Sequence, residues 1–522
     1  MIFRSIIVVF LLFLLIGCSL FGPKHLHKPL NIIHTNDKAS PKIVLVVVDS
    51  LMDKSFKKAI QEGKAPALEF FLKHGRYNKE LVSSYPTMSV TIDSSLLTGS
   101  YPDKHKIPGL VWFKDNEQRV INYGNGFIEM IKYGVPPFAQ NSLYQFNNVD
   151  LSRNAKTIHE DLDTIGKQTS SINVLVYRGN YKHILNTPNI LAKTISIPDQ
   201  YQTNGPRMLS LGAFIRQDQE NKHLLNRVGI NDAFSVQELK YLFKNNLLPD
   251  FTVMYMPEND YSVHRKGPMT TKGLEKLDKH LQEVLDVFPK WENALDNMIW
   301  IIIGDSSQSA VKKNKKEALI DLRKALSNYK VLKLGEHAQN SDEVAITANE
   351  RMAYIYNLGD NFSIRDIAQK LQGDTRIAWL AWKENGMNRV ISGQHKGGLH
   401  FKPKGPYKDL YNQTWDIRGN NEILDLEIKD NHHITYKSYP DGLARLHGAL
   451  HSHKGNFLIV DAKPGYEFIG ESSPEHTGGG AHGSMHKDDS LTSMIVTGTN
   501  KNINHLRMID LKWWILDIIE KK

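Results

Sequence analysis

The run Ile43-Val44-Leu45-Val46-Val47-Val48-Asp49-Ser50 decides the fold. Six apolar residues, five of them β-branched, lead without a polar interruption into a carboxylate. A strand with one wet face alternates apolar and polar side chains; this one does not, so it reads as a central strand buried on both faces. Working outward, three more short runs have the same character: Phe251 to Met256, Ile299 to Ile303 and Ser493 to Val496. Between the second and third, Leu274, Leu277, Leu281, Val284, Leu285 and Phe288 recur at mostly helical spacing, which predicts an amphipathic helix covering one face of a sheet. Strand, helix, strand in that order argues for an α/β fold with a mostly parallel central sheet flanked by helices. In such sheets ligands bind beyond the carboxyl ends of the strands, so the residues that follow each run are the candidates for chemistry.

Asp49 follows the first run, and Gly304-Asp305-Ser306-Ser307-Gln308 follows the third. A carboxylate at a strand end can be a metal ligand, a helix N-cap or a loop residue. After the second run Asp260 and His264 stand four apart, a spacing that lets oxygen and imidazole donors share one cation; many solvated helices carry the same pair. The stretch Tyr85-Pro86-Thr87-Met88-Ser89-Val90-Thr91 offers hydroxyls. Such a turn serves either as a helix cap or, where a base or metal lowers a hydroxyl's pKa, as a nucleophile. In Gly478-Gly479-Gly480-Ala481-His482-Gly483-Ser484, glycines on both sides of an imidazole allow close approach to a ligand, or simply form an exposed loop.

Taken together, the order and spacing of these residues resemble the alkaline phosphatase superfamily, nearest its type I phosphodiesterase and nucleotide pyrophosphatase branch. The turn Pro86 to Ser89, with serine where most relatives have threonine, and the segment Thr98 to Ile107 mirror the branch's Pro-Thr-x-Thr and Thr-Gly-x-Tyr-Pro-x-x-His-x-Ile patterns. The closing segment Met508 to Leu511 also resembles the family's C-terminal end, so the similarity runs from about Lys42 onward and weakens in two inserted stretches. The resemblance implies an alkaline phosphatase-like fold with inserted cap segments. It also implies metal-dependent hydrolysis of small-molecule phosphate esters, phosphodiester or nucleotide pyrophosphate bonds foremost, through a covalent intermediate on Ser89. Two divalent ions, zinc by analogy, would be held, one by Asp260, His264 and His482 and the other by Asp49, Ser89 and Asp305.

One position departs from the pattern. The branch has an Asp-His pair after its third strand, whereas this chain has Asp305-Ser306, and a hydroxyl is a poor substitute for imidazole on zinc. The Asp49/Asp305 site is therefore expected to prefer zinc less and to tolerate manganese, or to recruit His476 or His486 from nearby in sequence. Phosphomonoesterase or phosphoglycerol-transfer chemistry of the same superfamily stays open, and Ser306 is the main support for a non-catalytic surface binding protein. The resemblance does not extend to the superfamily's sulfatases, which carry a modified Cys or Ser followed by Pro and Arg at set spacing: Ser84-Tyr85-Pro86-Thr87-Met88 offers no arginine there, so a sulfatase is not expected.

The N-terminus reads as processing signal rather than fold. Arg4 precedes an apolar run from Ile6 to Ile16 that ends in Leu15-Ile16-Gly17-Cys18, which resembles a bacterial lipoprotein signal with its lipobox; the run is too short for a bilayer span of roughly 20 residues. Cys18 is the single cysteine of the 522 residues and stands where lipidation requires it. Residues 1–17 are thus read as signal peptide, 18–41 as a tether, and 42–522 as one catalytic domain with insertions at about 110–240 and 310–450. This predicts an extracytoplasmic protein lipid-anchored to the bacterial cell membrane. The formal charge of +9 suits an anionic substrate or envelope surface, and equally plain solubility. No stretch interleaves clustered basic residues with aromatics, so no nucleic-acid partner is expected.

Overall fold

The computed structural model describes residues 41–189, 192, 196–429 and 432–520. The leader, Cys18 and nearly all of the tether lie outside these residues. Among those described, no helix is long and apolar enough to cross a membrane.

Seven strands form the central sheet: β1 (Lys42–Val48), β2 (Arg76–Val82), β3 (Thr169–Ile172), β4 (Met208–Ser210), β5 (Phe251–Met256), β6 (Met298–Gly304) and β7 (Leu491–Val496). Their order is β2-β7-β6-β1-β5-β3-β4. All pairings from β6 to β4 are parallel, and β7 alone runs against its neighbours. β1 lies in the middle, in register with Ile299–Gly304 of β6 on one side and Phe251–Met256 of β5 on the other. Its continuous hydrophobicity has a simple cause: alternate side chains feed two cores. Ile43, Leu45 and Val47 pack beneath helices α1 (Ser89–Thr98) and α4 (Met508–Glu520). Val44, Val46 and Val48 pack against Leu274, Leu277 and Leu281 of α3 (Lys272–Leu285), which follows α2 (Glu258–Lys266). Each such side chain contributes roughly 1.5–3 kcal/mol relative to exposure.

One of the two inserted stretches contributes to the central sheet, which the sequence reading did not anticipate. The segment at about 110–240 is not wholly external, because β3 and β4 arise inside it. These strands are four and three residues long and include Thr169, Ser170 and Ser171, so they lack the long apolar run that marks β1. The segment at about 310–450 holds most of a second, nine-stranded sheet running from Val344 to Ala462, almost wholly antiparallel. Its first hairpin, Val344–Asn349 with Met352–Asn357, turns through Glu350 and Arg351, and this turn reaches the carboxyl end of the central sheet. There the Arg351 N–H donates to the His482 carbonyl at 2.9 Å, and buried Arg351 is paired with buried Asp489.

Candidate active site

The carboxyl ends of β1, β5 and β6 present three aspartates to one hollow. Asp49 stands one residue beyond β1, and its Oδ2 accepts a hydrogen bond from the Tyr255 hydroxyl on β5. Asp305 stands one residue beyond β6, where Oδ1 accepts from the N–H groups of Ser50 (3.0 Å) and Ser306 (2.6 Å). Asp260 sits in the first turn of α2; its Oδ1 accepts from Ser50 Oγ at 2.8 Å and Gln308 Nε2 at 2.6 Å. Ser50 therefore ties all three together, from a left-handed backbone conformation (φ 62°).

Among the described residues, buried oxygens here without a hydrogen-bond partner include Asp49 Oδ1, Asp305 Oδ2 and Ser306 Oγ. Orphaned buried acceptors are costly, and a cation is the partner that satisfies carboxylates crowded in this way. Burial, then repulsion from Asp260 and Asp305, pushes the Asp49 carboxyl well above the usual carboxylate range. Burial does the same to Asp305 more mildly. The donor chemistry thus fits a divalent ion, with oxygen ligands and no imidazole on this side.

The imidazoles gather on the other side of Asp260. His264, one turn along α2, places Nε2 3.1 Å from Asp260 Oδ2. His482 places Nε2 3.8 Å from Asp260 Oδ1. Ligand atoms of Asp260, His264 and His482 all lie within 4.8 Å of one another, the arrangement of a small-cation site. Carbonyl oxygens hold the far nitrogens: His264 Nδ1 meets Gly480 O at 2.9 Å, and His482 Nδ1 donates to Thr87 O. This fixes each ring with Nε2 facing inward. Burial opposes charge on His264, but Asp260 and Glu350 outweigh it and push its pKa up to about 10. Burial likewise raises the Asp260 carboxyl, and the His264 and His482 imidazoles then pull it below the usual range. The field at this point favours positive charge.

The glycines of the late loop have a steric role. A Cβ on Gly479 would lie 1.7 Å from the His264 carbonyl oxygen, and one on Gly483 (φ 106°) would lie 2.3 Å from Asn349 O. Only glycine lets this loop pass between α2 and the Asn349 hairpin and bring His482 inward.

Ser89 is the first residue of α1 and is half-buried. Its turn is anchored by Thr87, whose Oγ1 donates to Ser484 O (3.1 Å) and accepts from Gly483 N–H (2.7 Å) while its carbonyl meets His482. Neither histidine suggested as a replacement at Ser306 stands there. His476 stacks on His264 at 4.2 Å between ring centroids, on the Asp260 side. His486 accepts from Asp488 N–H at 3.3 Å and packs on Tyr439. Both lie in loops whose direction sequence distance does not reveal.

Several site residues carried no signal of their own. Ser50 and Gln308 flank Asp49 and Asp305 in sequence and could have been suspected on that ground. Tyr255 reads as an ordinary apolar strand residue. Glu350, nearly buried among His264, His476 and His482, sits in a hairpin turn far in sequence from all of them.

A sequence profile of the type I phosphodiesterase/nucleotide pyrophosphatase family matches residues 43–485, and the chain belongs to that family. It is accordingly a phosphoric ester hydrolase with an alkaline phosphatase-like fold. Among solved structures it is similar to human ectonucleotide pyrophosphatase/phosphodiesterase 5, at 13% identity and TM-score 0.54, covering 92% of this chain and 94% of that one. An inactive variant of the murine protein, solved in complex with AMP, gives 12% identity and TM-score 0.52 over 92% and 94% of the two chains. No curated protein sequence matches the chain.

Proposed function

We propose that this protein hydrolyses phosphodiester or nucleotide pyrophosphate bonds of small molecules in two displacements at phosphorus, with Ser89 as the nucleophile. The observation that carries this reading is the convergence of Asp260, His264 and His482 beside the unpartnered oxygens of Asp49 and Asp305. Divalent ions held by these two groups of residues would supply polarisation of a phosphoryl oxygen and stabilisation of the deprotonated serine. Zinc suits the imidazole-bearing group; the all-oxygen group around Asp49 and Asp305 suits manganese as well.

The chain's own residues divide the remaining work. Of the three hydroxyls in the turn, Thr87 is spent on the Gly483–Ser484 backbone and Thr91 is fully buried, which leaves Ser89 to face substrate. Ser89 also opens α1, where the helix dipole favours negative charge on its oxygen. Ser89 Oγ attacks phosphorus and the alcohol or phosphate leaving group departs; water then displaces Ser89 from the phosphoryl group, which restores the hydroxyl. His264 and His482 are held in one orientation by Gly480 and Thr87, and Ser50 and Gln308 fix Asp260.

The lipobox reading adds that the mature protein begins at a lipidated Cys18 and works outside the cytoplasm, tethered to a membrane. Turnover of bis-nitrophenyl phosphate and nitrophenyl phosphate, with and without chelator, tests the catalytic reading. Diester cleavage is expected to exceed monoester cleavage, to vanish with chelator and to be absent in Ser89→Ala; chelator-resistant activity or an active S89A protein would refute it.

A further inference from the structure

Glu350 is out of place as a turn residue. It occupies the left-handed region (φ 57°) in the hairpin between Val344–Asn349 and Met352–Asn357, where glycine or asparagine is the usual choice and other residues are strained. Its side chain is 6% exposed, although nothing about a hairpin turn requires a buried carboxylate. One of its oxygens has an ordinary role, since Oε2 accepts the His482 backbone N–H at 3.0 Å. The other does not: Oε1 lies 3.7 Å from His264 Nε2 and 3.8 Å from His482 Nε2, beyond hydrogen-bond range of both.

Those separations have a natural explanation in coordination geometry. A tetrahedral zinc with bonds of 2.0–2.1 Å sets its ligand atoms roughly 3.3 Å apart. Each inward-facing Nε2 is flanked by one oxygen of Asp260, at 3.1 and 3.8 Å, and by Glu350 Oε1 at 3.7 and 3.8 Å. Both rings are already locked by carbonyls at Nδ1, so their free lone pairs point between the two carboxylates. A second ligand-capable group, His264, Glu350 and His476, overlaps the first through His264, with ligand atoms again within 4.8 Å of one another. His476 itself is bound at Nδ1 by Glu467 Oε2 (2.9 Å) and stacks on His264, so it steadies the wall behind Glu350.

We infer that Glu350 is a fourth protein ligand of the cation held by Asp260, His264 and His482. This rests on the reading that those three residues hold a cation. It makes the two halves of the site unequal: two imidazoles and two carboxylates on one side, against Asp49, Asp305 and a serine where an imidazole would strengthen the site on the other. The Asp260 side retains its ion when the Asp49 side has lost it.

Zinc affinity measured by competition with a chromogenic chelator, on full-length protein, tests this without recourse to turnover. Wild type is expected to bind one zinc far more tightly than any second. Glu350→Gln is expected to weaken that tight site by about 100-fold or more, whereas Glu467→Gln, which removes a buried carboxylate that holds His476 and touches none of the four ligands, falls short of the roughly 10-fold lower end of effects from groups bonded directly to ligands. Equal effects from the two variants, or none from E350Q, would overturn the assignment while leaving the three-ligand site standing. Absence of tight zinc binding by wild type would overturn both. Should E350Q fail to fold, zinc-edge anomalous diffraction on zinc-loaded wild type decides: Glu350 Oε1 is expected within about 2.2 Å of the ion, and a distance beyond 3 Å, or a water in its place, refutes the proposal.

Discussion

The Tyr255 hydroxyl on β5 donates a hydrogen bond to Asp49 Oδ2 across the β1–β5 pairing, so one strand orients the carboxylate that its neighbour presents. The other oxygen, Oδ1, has no partner and faces the hollow. Tyr255→Phe frees the carboxylate to turn. The expected result is a loss of about 10–100-fold in metal affinity at the Asp49/Asp305 site with the Asp260 site unchanged, read by titrating metal-free protein with manganese. An equal loss at both sites would show that Tyr255 acts on the whole fold.

Crowding of carboxylates predicts a trade of stability for function. Asp49, Asp260 and Asp305 repel one another at the end of the sheet, and burial adds to the cost on Asp49. Asp49→Asn is expected to raise the thermal midpoint of the metal-free protein, corresponding to about 0.5–2 kcal/mol, while abolishing phosphodiester turnover. A lower midpoint in chelator would mean that the amide loses more in hydrogen bonding than it gains in relief of repulsion.

The frame of the molecule was legible because β1, β5 and β6 are buried on both faces and so announce themselves as unbroken apolar runs, each followed by the polar residues that line the site. Asp49, Asp260, His264, Asp305 and His482 can be picked out as candidates because each is close in sequence to such a run, to another candidate or to a glycine cluster that only a close approach explains. β3 and β4 escaped because Thr169–Ile172 and Met208–Ser210 are too short and polar to stand out. Glu350 escaped for a different reason. A turn glutamate looks solvated in sequence, and only the pairing of Met352–Asn357 with Phe457–Ala462, more than 90 residues apart along the chain, fixes where its hairpin points.

A pH dependence follows from Glu129, away from the reacting centre. Its carboxylate is buried and accepts from the side-chain amides of Asn122 and Asn125, and burial, outweighing the hydrogen bonds of Asn125 and Ser473, pushes its pKa up to about 8. The folded state therefore keeps a proton that the unfolded chain releases near the usual carboxylate value. Stability from this group is full at acidic pH and is lost as pH rises towards and through 8, at up to about 1.4 kcal/mol per pH unit. Chemical denaturation between pH 5 and 9 is expected to show this slope in wild type and a flatter one in Glu129→Gln; identical slopes would place the proton elsewhere.

Ser306 yields the most direct test of why the two halves of the site differ. Its hydroxyl is fully buried without a hydrogen-bond partner, next to the Asp305 oxygen that also lacks one, at the position where the family pattern carries histidine. Ser306→His places a nitrogen donor where the oxygen ligands alone hold zinc poorly. Overpacking of the pocket opposes this at a cost of about 1–3 kcal/mol, so the variant is expected to be less stable when metal-free and to recover that loss on zinc binding. Zinc retained after dialysis should rise from one ion per chain towards two, and the preference for manganese in turnover assays should fall. If the variant folds and still retains a single zinc, the weakness of the second site lies in the placement of Asp49 and Asp305 rather than in the missing imidazole.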